Sequence, residues 1–259
     1  MAGRNPIVLW PYRMDVQGIF TGMTIRAITF DFWGTLFRDA NGEKRHGLRV
    51  KALTEATGIP AERADSSLRE IMVYFLRKHL ETQHTLTPSD AVRMACAKND
   101  LELDEMTLAH LARCFGAAVL EHPPEPITSA LEAVRTAAER VPIAIISDTG
   151  FSPGRHLRVV LEKEGFLAHF SALTFSDETG IAKPQRGMFD RTAEKLGVAP
   201  HELWHIGDLE PTDIVGAHQV NSKAGLFTGV NNRYAETTRA DYVLPSWRHF
   251  LEVLPNVVP

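Results

Sequence analysis

Four places along this 259-residue chain set a chemically competent side chain beside a turn that would expose it. In the first, the apolar run Ile28-Thr29-Phe30 leads into Asp31 and then Phe32-Trp33-Gly34-Thr35-Leu36. A carboxylate at the C-terminal end of a buried strand suits nucleophilic attack or metal binding, because ligands of open α/β sheets collect at strand ends. In the second, Ser147-Asp148-Thr149-Gly150 follows another apolar run and offers a hydroxyl and a series of turn amides to the oxygens of an anion. The third is Lys183, in Gly180-Ile181-Ala182-Lys183-Pro184 just ahead of a helical segment. The fourth is Gly207-Asp208, with Asp213 five residues on in the first turn of the next helix. Asp208 and Asp213 opposite Asp31 would make a hard, oxygen-rich set suited to Mg²⁺. Each place also has a plain explanation. Ser147 and Asp148 can simply turn the chain, a lone lysine is usually solvated, and an acid is favourable near any helix N-terminus. The shared location at successive strand ends is what argues for a site.

The elements that must position these residues follow from periodicity. Residues 25–32 read as a strand, and residues 47–122 as helix almost throughout. Within that stretch Leu68, Ile71, Met72, Phe75, Leu76 and His79 recur at helical spacing, and Leu108, Leu111, Ala112 and Leu120 continue the pattern. Prolines at 123, 124 and 126 then break it as a linker would. Beyond them the apolar run 143–146 reads as a parallel strand buried on both faces. Further strands are expected at 172–175, 203–206, 224–227 and 242–244, and helices at 128–140, 154–164, 186–196 and 212–219. This alternation predicts an α/β fold, a Rossmann-like doubly wound parallel sheet with an all-helical insertion after its first strand. The division expected is a loosely attached extension (1–24), a core (25–40 and 125–259) and a helical cap (41–124).

Composition narrows the function classes. The chain is 44% hydrophobic and 23% charged, with a formal net charge of -4, so it offers no basic face for a nucleic-acid backbone. No apolar run approaches the roughly 20 residues of a membrane span, and Ile7-Val8-Leu9-Trp10 is too short for a signal-peptide core. A cytoplasmic protein with a small-molecule substrate is expected. Cys96 and Cys114 lack metal-ligand spacing and read as free buried thiols. His201 and His205 have no third ligand nearby and read as surface and packing residues, and Trp204 and Trp247 as core or rim. Arg155 and Asn231-Asn232-Arg233 follow strands and are candidates for the rim of a site.

The four motifs, in this order, resemble the haloacid dehalogenase (HAD) superfamily. Asp31 with Gly34-Thr35-Leu36 matches its first motif, Ser147 the second, Lys183 the third, and Gly207-Asp208 with Asp213 the fourth, while the helical insertion lies where one type of cap is placed. The resemblance implies a hydrolase in which Asp31 attacks an electrophile and forms a covalent aspartyl intermediate. For its phosphatases it implies Mg²⁺ held by Asp31, the backbone oxygen of Trp33 and Asp208. Asp213 belongs to this metal set by orienting the ion's water ligands, and Ser147 and Lys183 bind the transferring group.

Trp33 departs from the phosphatase pattern, which has a second Asp two places after the nucleophile as general acid and base. An indole cannot supply a proton near neutral pH, and general acid-base help is worth about 10²–10⁴-fold in rate. The expected function is Mg²⁺-dependent phosphohydrolysis with the acid absent or replaced. Candidate replacements at the core-cap junction are Asp39, Glu43 and His46. Two alternatives stand beside it. One is C-halogen hydrolysis, which Trp33 favours and the metal carboxylate Asp208 opposes. The other is a protein that binds phosphate and Mg²⁺ without turnover. Arg63, Arg77 and Lys78 are the insertion's candidate substrate cations.

Overall fold

The structure, a computed structural model, describes residues 24–258. The expectation of a loosely attached extension therefore falls, apart from Thr24, outside the described residues.

Strand β1 (Ala27–Phe30) is fully buried, as a continuous apolar run in a parallel sheet should be. A two-residue strand β2 (Phe37–Arg38) follows, then helices α1 (Gly42–Thr57), α2 (Ala61–Thr82), α3 (Pro88–Asn99) and α4 (Glu105–Glu121), and strand β3 (Glu125–Pro126). The rest alternates as α5 (Ala130–Ala138), β4 (Ile143–Ser147), α6 (Gly154–Lys163), β5 (Ala172–Phe175), α7 (Ser176–Thr179), α8 (Arg186–Leu196), β6 (Leu203–Gly207), α9 (Val215–Gln219), β7 (Lys223–Phe227), β8 (Tyr242–Leu244) and α10 (Trp247–Val257).

Six strands form one parallel sheet in the order β5-β4-β1-β6-β7-β8. From β1 the chain builds outward on one side through β4 and β5, then returns to build through β6, β7 and β8 on the other. The strand order thus reverses at β1, and the crevice at its C-terminal end is where such sheets bind ligands.

Several local features escape period counting. The 123–126 proline stretch is not merely a linker, because β2 and β3 pair antiparallel, Phe37 with Pro126, and tie the two ends of the helical insertion together. Residues 212–214, expected to open a regular helix, instead belong to a wide π-type turn, Glu210–Ile214, ahead of α9. Leu76 is 63% exposed despite its place in the apolar stripe, and Cys114 is half-buried, whereas Cys96 is buried. Trp204 and Trp247 are both fully buried. No helix among the described residues is long and apolar enough to cross a membrane.

Two apolar clusters matter for the site. The larger lies around the sheet and includes Phe30, Phe37, Trp204, Trp247 and Phe250. The second lies among α1–α4, from Leu53 through Leu68, Ile71 and Phe75 to Leu111 and Phe115. Phe151, from the turn after β4, belongs to this second cluster, stacked 4.7 Å from Phe75. One ring of the sheet's crevice is thus seated among the helices and fixes them over β4. Truncating a buried aromatic ring costs about 3–5 kcal/mol. Phe151→Ala is expected to lower unfolding free energy by about 3 kcal/mol in urea denaturation; a loss below about 1 kcal/mol would mean that this ring is not a structural tie.

Candidate active site

Asp31 follows β1 directly, and its amide donates to the Ile206 carbonyl at 2.8 Å, so β6 sets the height of the carboxylate above the sheet. The Lys183 ammonium, 2% exposed, donates to Asp31 and to Asp213, each at 2.6 Å. Asp208 completes the group: Asp31, Asp208 and Asp213 each present an oxygen, and the three lie within 4.8 Å of one another.

Close backbone approach makes this possible. A Cβ on Gly207 would stand 2.1 Å from the carboxyl carbon of Asp213, and a Cβ on Gly34 would stand 2.6 Å from an Asp208 oxygen. Gly34 also has a φ of +71°, a conformation that costs any L side chain.

The two carboxylates sharing Lys183 are not equivalent. Asp213 also receives the Leu209 amide at 3.0 Å, the Thr212 hydroxyl at 3.3 Å and Nε2 of His205 at 3.0 Å. Burial alone would raise it, but Lys183 and His205 hold Asp213 well below the usual carboxylate range. Asp31 has only Lys183, so burial prevails and pushes it up to about 7, with repulsion from Asp213 adding to the effect. Burial likewise raises Asp208 to about 8, helped by Asp213 and Asp31 and opposed by Asn231, whose amide reaches it at 3.4 Å. For Lys183 burial is outweighed by the carboxylates, which hold the ammonium charged above its ordinary range. Three carboxylates thus gather about one ammonium, which bonds only Asp31 and Asp213. They are therefore suited to a divalent cation, which favours grouped carboxylate oxygens.

Sequence reasoning did not find His205 here. Fully buried, it accepts or donates at Nδ1 with the Thr29 hydroxyl at 2.9 Å, and burial lowers its pKa. The neutral ring that accepts from Thr29 and donates to Asp213 satisfies both contacts.

Ser147 is placed differently from the expectation. Its side chain is fully buried, its hydroxyl donates to the Asp148 carbonyl at 3.4 Å, and it does not line the cavity above Asp31. Asp148 and Thr149 line that cavity instead. Asp148 accepts the Lys183 amide at 3.0 Å and lies 3.3 Å from Nε2 of His79 on α2, joining sheet to helices.

The cavity is about 320 Å³, the size of a site for a small molecule. Its floor is the carboxylate group; its walls include Trp33, Met72, Phe75 and Phe151. Trp33 is half-buried, packed edge-on to Phe32 at 5.0 Å. Of the candidate replacement acids, Asp39 lines the cavity but is paired with Arg45. Glu43 pairs with Arg69, and His46 contacts Asp65 at 2.8 Å; neither lines the cavity. Arg63 faces Asp100 and Arg77 faces Glu81 on the outside, and Lys78 and Arg155 do not line the cavity either. The arginines that do are Arg45 and Arg49, one turn apart on α1 and both nearly fully buried. Their i, i+4, i+8 spacing with buried Leu53 was the available signal.

The model of the haloacid dehalogenase-like hydrolase family matches residues 25–221, from β1 through the turn after α9. Pyrimidine 5'-nucleotidase YjjG of Escherichia coli (strain K12) is 31% identical over 124 residues, which is 47% of this chain and 51% of that protein. The chain thus matches about half the length of this curated relative, and less of the others. Among solved structures, a HAD phosphatase from Thermococcus onnurineus superposes with a TM-score of 0.67 at 20% identity, covering 89% of this chain and 98% of that one. A 2-haloacid dehalogenase from Pseudomonas syringae pv. Tomato DC3000 gives 0.68 at 19% identity, covering 90% and 99%. Fold likeness is therefore equal for phosphatase and dehalogenase, and the choice of chemistry rests on the site. The chain belongs to the haloacid dehalogenase-like hydrolases.

Proposed function

We propose that this hydrolase releases phosphate from a small phosphorylated metabolite through an aspartyl-phosphate on Asp31, with Mg²⁺ held by Asp31, Asp208 and the backbone oxygen of Trp33. The helical block α1–α4 acts as the cap that encloses the substrate. The observation that carries this reading is the set of three buried carboxylates within 4.8 Å, of which Asp31 and Asp213 share a single ammonium and Asp208 has none. Burying that excess of negative charge is costly unless a cation joins it. Bound Mg²⁺ supplies charge neutralisation between the carboxylates and an incoming phosphoryl group.

The division of labour among the chain's own groups follows. An Asp31 oxygen forms a bond to phosphorus as the bond to the leaving oxygen breaks, and the leaving oxygen departs with the electron pair. Water then attacks phosphorus, releasing phosphate and restoring the Asp31 carboxylate. Lys183 holds Asp31 in place and neutralises charge on the transferring group. Asp213, locked by Lys183, His205 and the Leu209 amide, positions Lys183 and would orient the water ligands of a bound Mg²⁺. Trp33 offers the leaving oxygen no proton, so leaving groups stable as anions, such as acyl and aryl phosphates, are preferred over alkyl phosphates.

A second reading, C-halogen hydrolysis with Asp31 attacking carbon, is favoured by Trp33. The carboxylate group weighs against it, since that reaction has no cation to offset Asp208.

With Mg²⁺, the purified protein is expected to release phosphate from acetyl phosphate and p-nitrophenyl phosphate faster than from sugar phosphates. Asp31→Asn is expected to reduce the rate by about 10⁴-fold or more. Chelator-insensitive halide release from chloroacetate would instead establish the second reading. Phosphate and Mg²⁺ binding without turnover would mark a protein that has kept the site and lost the reaction.

The raised carboxylates also predict a pH dependence. Between the ordinary carboxylate value near 4 and about 7 to 8, the folded state binds more protons than the unfolded one, so metal-free stability falls as pH rises through that window. Mg²⁺ must displace those protons, and the stabilisation it confers is expected to grow over the same window. Melting temperatures with and without Mg²⁺ check this. Asp208→Asn should abolish most of the Mg²⁺ effect, and a Mg²⁺ effect independent of both pH and Asp208 would contradict the proposed metal set.

A further inference from the structure

Arg49 has more hydrogen-bonding capacity than the protein uses. It is 4% exposed and lines the cavity that opens over Asp31. Its Nε donates to the Phe115 carbonyl at 3.2 Å, and its guanidinium lies 4.7 Å above the Phe151 ring. Of the five N–H donors in a guanidinium, that bond uses one. Among the described residues no other hydrogen bond to the group is made, and no carboxylate lies within 4 Å of it. A buried cation left in this state is costly. Burial, with Arg45 beside it, draws the Arg49 guanidinium down to about 10, which leaves it charged at neutral pH.

Arg45 does not relieve the excess. It is 3% exposed and donates to the His122 carbonyl at 2.7 Å and to Asp39, with its guanidinium 5.6 Å from the Trp33 ring centroid. Two cations one helical turn apart repel each other. The Phe115 carbonyl and the Phe151 ring hold the Arg49 guanidinium at the cavity wall, with the fork of its two terminal nitrogens unbonded among the described residues. Such a fork matches the two oxygens of a carboxylate or phosphate. Apolar side chains, Met72, Phe75 and Phe151, line the same cavity.

We infer that Arg49, backed by the charge of Arg45, is an oxyanion subsite on the helical side of the cavity, and that the substrate is a small molecule with two anionic ends. One end is the phosphoryl group that meets Asp31; the other is a carboxylate or a second phosphate held by Arg49, with a short carbon skeleton between them. As a statement about substrate this rests on the phosphohydrolase reading, but the subsite itself is tested without turnover.

The binding arm uses isothermal titration, without Mg²⁺, of 4-hydroxyphenylacetate, 4-hydroxybenzylphosphonate and the neutral 4-methylphenol. The anionic probes are expected to bind wild-type protein about tenfold or more tightly than the neutral one, as a charged hydrogen-bonded pair allows. The stronger of the two identifies carboxylate or phosphate as the preferred group. Arg49→Met should erase the preference, and Arg49→Lys, which keeps the charge without the fork, should retain part of it. The turnover arm compares 4-(carboxymethyl)phenyl phosphate with 4-methylphenyl phosphate in the presence of Mg²⁺. The ratio of their kcat/KM values should fall about tenfold in Arg49→Met, mainly through KM. Equal binding of anionic and neutral probes by wild-type protein overturns the subsite whatever the variants do, and the phosphohydrolase reading stands if phosphate is still released. An Arg49-dependent preference with no phosphate release keeps the subsite and removes the reading of the reaction.

Discussion

The Lys183 ammonium, buried and bonded at 2.6 Å to both Asp31 and Asp213, is the contact around which the rest of the site is arranged. Carboxylates gathered in a low-dielectric crevice repel one another, and each would protonate without a cation to offset it. One ammonium cannot satisfy all of them equally. Asp213 draws additional donors from His205, Leu209 and Thr212 and stays ionised; Asp31 has Lys183 alone and sits near neutrality. This asymmetry separates a carboxylate that positions from one that is available to react. It also leaves Asp31 and Asp208 with the part of the negative charge that a metal would take up.

The sheet supplies the geometry for that contact. Because strand order reverses at β1, the ends of β1, β4 and β6 open into one crevice, and Asp31, Asp148 and Asp208 emerge side by side. That much was legible in the chain, since buried parallel strands are apolar runs, and a carboxylate or a glycine at the end of such a run stands out against it. The close approach of Asp213 to Gly207 explains why the fourth motif has a glycine there. His205 was not legible, because a lone histidine inside a strand has the same pattern whether it packs or donates. Ser147 shows the converse limit: its position is at the strand end as expected, yet its side chain turns into the protein and Asp148 faces the cavity.

The helical side was harder to read. Apolar spacing finds the faces that pack α1–α4 together but treats every arginine alike, so it does not separate the exposed Arg63 and Arg77 from the buried Arg45 and Arg49. The two that matter are buried because α1 packs on α4 and brings them beside the Phe115 and His122 carbonyls, contacts made across 66 and 77 residues of sequence. A pattern within one helix cannot show which carbonyl of another will meet it. Trp33 belongs to both sides. It closes the turn after Asp31 against Phe32 and faces Arg45, so a ring beside a cation stands two places after Asp31. In the proposed reaction the cavity would bind and orient a substrate more than protonate its leaving group.

Capture of the covalent intermediate tests the central claim most directly. Wild-type protein mixed with acetyl phosphate and Mg²⁺, quenched in acid during turnover and digested, is predicted to yield a phosphoryl adduct on the peptide bearing Asp31, by mass spectrometry with fragmentation, and none in Asp31→Asn. Steady phosphate release with no adduct on Asp31, or with the adduct on another residue, would contradict the account.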